Sequence, residues 1–325
     1  MFFAISRGVA DLSVCPSLKL HCKSTGYFRN MQYLCQKKLE KMQILGLGDA
    51  LVDLLIRLDD EKCLAELGVR KGAMMMIDRE KTLAIRSSLR HLSQKQVAGG
   101  SVCNTMRTIS FLGGKSAFIG KIGDDELGNL YEESLKNAGV TSLLFRKEGL
   151  SGTSTILVSP DGERTMCTYL GPAPTISPDE ITAEILAPYQ YIYVEGYLLV
   201  NPSLVCETMK KAKELGLKVA LDLANFNIVN AYYDLLHEIV PKYVDIVFCN
   251  GSEAEAFTKQ MPAEAVRTLS RMVDIALVTV GKEGAWFGSH GEFGRISASG
   301  GNPVDTTGAG DYFDPVPGHP GDRRL

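Results

Sequence analysis

The sequence predicts an α/β protein in which a parallel sheet is covered by helices on both faces and a small separate group of strands is positioned as a lid. In the second half, four β-rich runs (YIYVEGYLL, KVALDLA, VDIVFCN and IALVTVG) alternate with helical segments. Such alternation argues for a parallel sheet with ligands at the strand C-terminal ends. Strand-like segments near 51–58, 73–77 and 153–170 do not fit that alternation and supply the lid. A chain of 325 residues with 45% apolar content is large enough to bury a substantial core.

The elements follow in order. Residues 1–41 carry seven Lys or Arg against Asp11 and Glu40, with no clear period, and are expected to be a basic extension. An organelle-targeting leader and a non-native or upstream-read leader are both compatible with that composition. From Gln43, QILGLGDALVDLLIRL is a strand, a turn and a strand, and AMMMI is a further short strand. VCNTMRTISFLG has helical spacing, 116–122 is a strand, and DELGNLYEESLKNAG is a helix stopped by Gly139. TSTILVSPDGERTMCTYL forms two strands around a Pro-Asp-Gly turn. SLVCETMKKAKELG, YYDLLHEIVPKY and EAVRTLSRM are the helices between the later strands. The final stretch, 314–325, is rich in Pro and Gly and cannot build a helix.

Composition narrows the function. A formal net charge of -3 and a pI near 6 provide no general field for nucleic acid or an anionic membrane, and no apolar run reaches the length of a membrane span. Eight dispersed cysteines without a CxxC pair indicate reduced thiols in a cytoplasmic protein, and the five histidines lack metal-ligand spacing. Small-molecule chemistry is the remaining expectation.

The strongest motif is DTTGAGD, 305–311, which places a Gly-Ala-Gly turn before a carboxylate at an expected helix start. Amides of such a turn converge on an anion, and Asp311 is placed to take a proton from an attacking hydroxyl. A Gly-rich loop with an N-capping Asp is the plain alternative. Three decoys drop out. Gly113-Gly114-Lys115-Ser116 has Ile109 where a P-loop needs glycine; Gly46-Leu47-Gly48 lacks the third glycine of a dinucleotide fingerprint; and Met74-Met75-Met76 reads as an apolar strand.

DTTGAGD resembles the C-terminal signature of the ribokinase-like (PfkB) kinases, and Gly99-Gly100-Ser101-Val102-Cys103-Asn104 resembles their N-terminal signature, over about residues 43–313. The resemblance implies a three-layer ribokinase-like domain over 42–313, with ATP and Mg²⁺ as cofactors and a homodimer as a plausible assembly. It further implies transfer of a phosphoryl group to a primary hydroxyl of a sugar or nucleoside. Asp311 would be the base, with Gly308, Ala309 and Gly310 shaping the anion hole. Asp53, Gly99, Gly100 and Asn104 would bind the acceptor, and Glu195, after YIYV at a strand end, is a further candidate against a surface carboxylate.

Asn250 and Glu253 match the family's Asn-x-x-Glu, associated with metal-bound phosphate through water, so Glu253 is the implied Mg²⁺ residue. The same pattern is helix-capping chemistry. Thr279, Gly281 and Gly284, in VTVGKEGAWF, resemble the segment bordering the nucleotide. Asp305 and Thr307 resemble positions near a monovalent-cation site, where K⁺ is the candidate. The texture of GKIGDDELG and YIYVEGYLL is similar to adenosine-kinase-like members.

Family members ordinarily continue past the aspartate with an apolar helix, whereas Pro315 and Pro317 should stop a helix here. The sequence is therefore expected to encode a kinase. The alternative is a truncated, catalytically impaired member acting as a binding protein or a non-functional fragment.

Overall fold

The computed structural model describes residues 42–298. Its strands are β1 (Gln43–Leu47), β2 (Leu51–Arg57), β3 (Met74–Met76), β4 (Gln94–Ala98), β5 (Lys115–Gly123), β6 (Thr141–Lys147), β7 (Gly152–Val158), β8 (Arg164–Tyr169), β9 (Tyr191–Val194), β10 (Lys218–Asp222), β11 (Ile246–Asn250), β12 (Ile275–Thr279), β13 (Ala285–Ser289) and β14 (Glu292–Ile296). The helices are α1 (Lys62–Glu66), α2 (Arg79–Ser88), α3 (Ser101–Phe111), α4 (Glu126–Asn137), α5 (Ala183–Leu186), α6 (Pro202–Glu214), α7 (Phe226–Ala231), α8 (Tyr233–Tyr243), α9 (Gly251–Thr258) and α10 (Pro262–Leu269).

The larger sheet has the order β14-β13-β12-β11-β10-β9-β1-β5-β6. From β12 to β6 every pairing is parallel, and the β12-β13-β14 edge is an antiparallel hairpin pair. After β1 the chain adds strands on one side (β5, β6) and then returns to add β9 to β12 on the other, so the order reverses between β1 and β9. That crevice is where open α/β sheets bind ligands.

Strands buried on both faces read as nearly continuous apolar runs, and alternate side chains sort into two layers. Leu45, Leu47, Ile192, Val194, Val219 and Leu221 pack with Leu204 and Met209 of α6 on one face. Ile44, Phe118, Ile122, Tyr191 and Tyr193 pack with Val102 and Met106 of α3 on the other. The approach of α3 depends on Gly46, where an added Cβ would lie 2.6 Å from Val102 Cγ1 and 2.7 Å from Met106 Cγ. At 25 cal/mol per Å², each fully buried Leu, Ile or Met contributes roughly 2 kcal/mol, and these two layers are the main source of cohesion.

A second sheet has the order β3-β8-β7-β2-β4. One face is closed by α1 and α2 through Ile56, Leu64, Leu67, Ile85, Leu157 and Cys167. The three segments expected to form a separate sheet all lie in it, together with β4, which no strand pattern in the sequence announces. QKQVA is an edge strand whose residues 95–97 are exposed, so it lacks an apolar signal. The GGKS decoy is a helix end: Gly113, at φ 89°, follows α3, and Lys115 opens β5. Among the described residues no helix is long and apolar enough to cross a membrane.

Candidate active site

The C-terminal ends of β1 and β9 form the floor of the site. Gly48 directly follows β1 and has no room for a side chain, because a Cβ there would lie 2.3 Å from Glu195 Oε2. Glu195 follows β9 and is only 3% exposed. Its Oε2 accepts the Asp49 N–H at 3.1 Å, and its Oε1 accepts the Ser101 hydroxyl at 3.3 Å. The alternative of a surface carboxylate is thereby removed. Asp49 is equally buried, at 3% exposure, and burial raises its carboxyl from 3.8 to about 6. Its Oδ1 has no hydrogen-bond partner among the described residues.

The glycine pair 99–100 links this floor to α3. A Cβ on Gly99 would lie 2.4 Å from Asp53 Oδ2, and one on Gly100 would lie 2.6 Å from the Asp49 carbonyl oxygen. Gly100 also has φ 93°, a left-handed conformation that disfavours any side chain. The Gly99 carbonyl accepts the buried Tyr131 hydroxyl at 3.1 Å. Burial pushes that hydroxyl well above its usual range and pushes the neighbouring Cys103 thiol up to about 12, so both stay protonated. Asn104 lies one turn into α3, its N–H donating to the Gly100 carbonyl at 2.9 Å, and it lines the cavity.

The second sheet forms the wall. Register places Asp53 opposite Ser154, Ser154 opposite Thr168 and Thr168 opposite Met76, giving one polar row ending in a methionine. The adjacent row runs Leu55, Ile156, Met166, Met74 and is wholly apolar. Ile156, Met166 and Met74 line the cavity beside Asp53, Ser154 and Thr168.

The ends of β10, β11 and β12 close the far side with Asp222, Asn225, Asn250, Glu253 and Thr279. Asn250 and Glu253 form a complete capping box on α9: the Glu253 N–H donates to Asn250 Oδ1 at 3.0 Å, and Glu253 Oε2 accepts the Asn250 N–H at 2.7 Å. Burial raises the Glu253 carboxyl, partly offset by that backbone donor. One cavity of about 700 Å³ therefore joins the hydroxyl-binding candidates to the metal and phosphate candidates. Carboxylates of Asp222 and Glu253 with the Asn250 amide are hard oxygen donors of the kind that hold Mg²⁺ through water.

Gly281 and Gly284 do not line this cavity among the described residues. Gly281, with φ 57°, belongs to the turn after β12, and Gly284 packs so tightly that a Cβ would lie 1.9 Å from the Ile296 carbonyl oxygen. Their evident work is to turn β12 into β13. Asp305, Thr307, Gly308, Ala309, Gly310 and Asp311 lie outside the described residues. Asp49, Asp222 and Asn225 were not singled out from sequence. Each falls at or just beyond a strand C-terminal end, so a uniform reading of strand ends, as applied to Glu195, would have found them.

Comparison with known proteins agrees with this geometry. The model of the pfkB family carbohydrate kinase matches residues 72–313, and the chain belongs to that family. A fructokinase of Solanum tuberosum is 28% identical over 247 residues, 74% of this chain and 76% of its own. An adenosine kinase of Schizophyllum commune is 25% identical over 304 residues, covering 85% and 87%. Among solved structures, adenosine kinase from Sinorhizobium meliloti superposes with a TM-score of 0.74 at 32% identity, covering 84% of this chain and 85% of that one. A probable sugar kinase from Rhizobium etli CFN 42 gives a TM-score of 0.74 at 29% identity, covering 83% and 84%. The chain is a ribokinase-fold carbohydrate or nucleoside kinase, a class that uses ATP.

Proposed function

We propose that this kinase transfers the γ-phosphoryl group of ATP to the primary hydroxyl of a nucleoside, with an adenosine-like acceptor. The observation that carries the reading is the pair of rows on the second sheet. A sugar needs hydroxyl partners, which Asp53, Ser154, Thr168 and Asn104 supply, whereas a base needs an apolar platform. Ile156, Met166 and Met74 form such a platform one residue pair away. A free hexose would leave those side chains facing water. Similarity to adenosine kinases from S. commune and S. meliloti supports the same choice.

In this reading Asp53 and Asn104 orient the sugar hydroxyls, and the sheet-lid arrangement of 51–58, 73–77 and 153–170 excludes water from the reacting centre. Asp311 takes the proton of the attacking hydroxyl as its oxygen bonds to the γ-phosphorus and the bond to ADP breaks. The amides around Gly308, Ala309 and Gly310 receive the phosphoryl charge. Glu253, Asp222 and Asn250 would hold Mg²⁺ through water, and the ion when bound neutralises phosphate charge. Asp305 and Thr307 are the positions proposed for K⁺.

The test is ADP release across adenosine, other nucleosides, ribose, fructose and keto-deoxy-gluconate, with Asp311→Asn as control. A kcat/KM for adenosine at least tenfold above that for every free sugar supports the reading; a free sugar as best acceptor overturns it.

A further inference from the structure

The charge of the cavity is one-sided. Asp49, Asp53, Glu195, Asp222 and Glu253 all line it, and among the described residues no Lys, Arg or His does. Acidic residues at a nucleotide end are no surprise where Mg²⁺ is to be held, but Asp49 and Glu195 lie at the β1/β9 floor, beside Asp53 on the acceptor side. Glu195 is engaged by the Asp49 N–H and the Ser101 hydroxyl. Asp49, 3% exposed, keeps Oδ1 without a partner among the described residues. A buried acceptor atom of this kind is costly unless a ligand donates to it.

We infer that this kinase selects its acceptor by charge: Asp49 accepts a hydrogen bond from a donor on the acceptor molecule, so uncharged and amine-bearing acceptors are taken and anionic ones are rejected. The inference rests on the kinase reading and extends the nucleoside reading. It predicts exclusion of sugar phosphates and sugar acids on electrostatic grounds, because a second negative charge brought beside buried carboxylates is opposed in a low-dielectric site. It also predicts that replacing the right hydroxyl by an isosteric amine strengthens binding, since a hydrogen bond between charged partners is stronger than one with a neutral donor.

The experiment measures kcat/KM by ADP release at pH 7.5 for adenosine, 2′-amino-2′-deoxyadenosine, 3′-amino-3′-deoxyadenosine and adenosine 3′-monophosphate, in the wild-type chain and in Asp49→Asn. The expected wild-type result is that one amino analogue matches or exceeds adenosine and that the monophosphate is poorer by roughly 100-fold. In Asp49→Asn the amino-over-hydroxyl ratio should fall about tenfold and the penalty on the monophosphate should shrink, as steric exclusion alone would not allow. Turnover of the monophosphate comparable to adenosine overturns the inference, as does an amino-to-hydroxyl ratio below one for both analogues; neither requires the variant to fold. Turnover of fructose but not adenosine overturns the nucleoside reading instead. The charge rule is then read from fructose, 1-amino-1-deoxyfructose and fructose 6-phosphate, where loss of the phosphate penalty overturns it.

Discussion

Gly99 sits directly on the carboxylate of Asp53: a Cβ at Gly99 would stand 2.4 Å from Oδ2, 2.7 Å from Cγ and 2.9 Å from Oδ1. Asp53 lies in β2 and Gly99 directly follows its neighbour β4, and the Gly99 N–H donates to the Leu51 carbonyl at 2.8 Å. The first glycine of the Gly-Gly pair thus fixes where the carboxylate of Asp53, proposed above to bind the acceptor, can be.

Gly99→Ala should therefore displace Asp53 without disturbing the larger sheet. The expected outcome is an acceptor KM raised about 10- to 100-fold, a displacement of the substrate being worth up to that in rate or affinity, with little change in melting temperature. Gly100→Ala should differ, because strain at φ 93° adds to a 2.6 Å approach to the Asp49 carbonyl. A loss of about 1–3 kcal/mol in urea unfolding is expected.

Asp49 makes stability depend on pH. Burial raises its carboxyl from 3.8 to about 6, so the folded chain holds a proton that the unfolded chain releases at lower pH. The stabilising contribution is complete below 3.8 and is lost as pH rises through about 6. Asp49→Asn does not titrate. Its stability advantage over the wild type should grow between pH 4 and pH 6, then stay level to pH 8 at about 2–3 kcal/mol, from roughly 1.4 kcal/mol per pKa unit. Urea unfolding across that range checks the sign; an advantage that shrinks with rising pH would refute it.

Met166 lies between Ile156 and Met74 in the apolar row. Met166→Thr should weaken adenosine binding by about 1–2 kcal/mol, the scale of a lost apolar contact, and leave ribose binding nearly unchanged. Calorimetric titration of both ligands separates loss of a base platform from general damage.

Asp311→Asn should lower kcat by roughly 10²- to 10⁴-fold, the range for removal of a general base, with acceptor affinity retained. Single-turnover kinetics beside equilibrium binding would reveal the split.

The parallel sheet was legible because strands buried on both faces are apolar throughout, as in IVFCN and IALVT of β11 and β12. The edge strands β4 and β6 were not, since QKQVA and TSLLFRK are partly exposed and mix polar with apolar residues. Asp53, Gly100 and Asn104 were legible from a motif, and the cavity brings them together. What sequence could not supply was register: that Met166 stands beside Met74, and Ser154 beside Asp53, follows only from strand pairing. Asn250-x-x-Glu253 remained double-valued because one set of atoms caps α9 and also faces the cavity.

The most direct test of the central claim is the product itself. Purified chain incubated with adenosine, ATP and Mg²⁺ should yield adenosine carrying one added phosphoryl group on its 5′ oxygen, assigned by mass spectrometry and ³¹P NMR, and Asp311→Asn should yield almost none. Adenosine recovered unchanged while fructose or ribose gains the phosphoryl group would contradict the account.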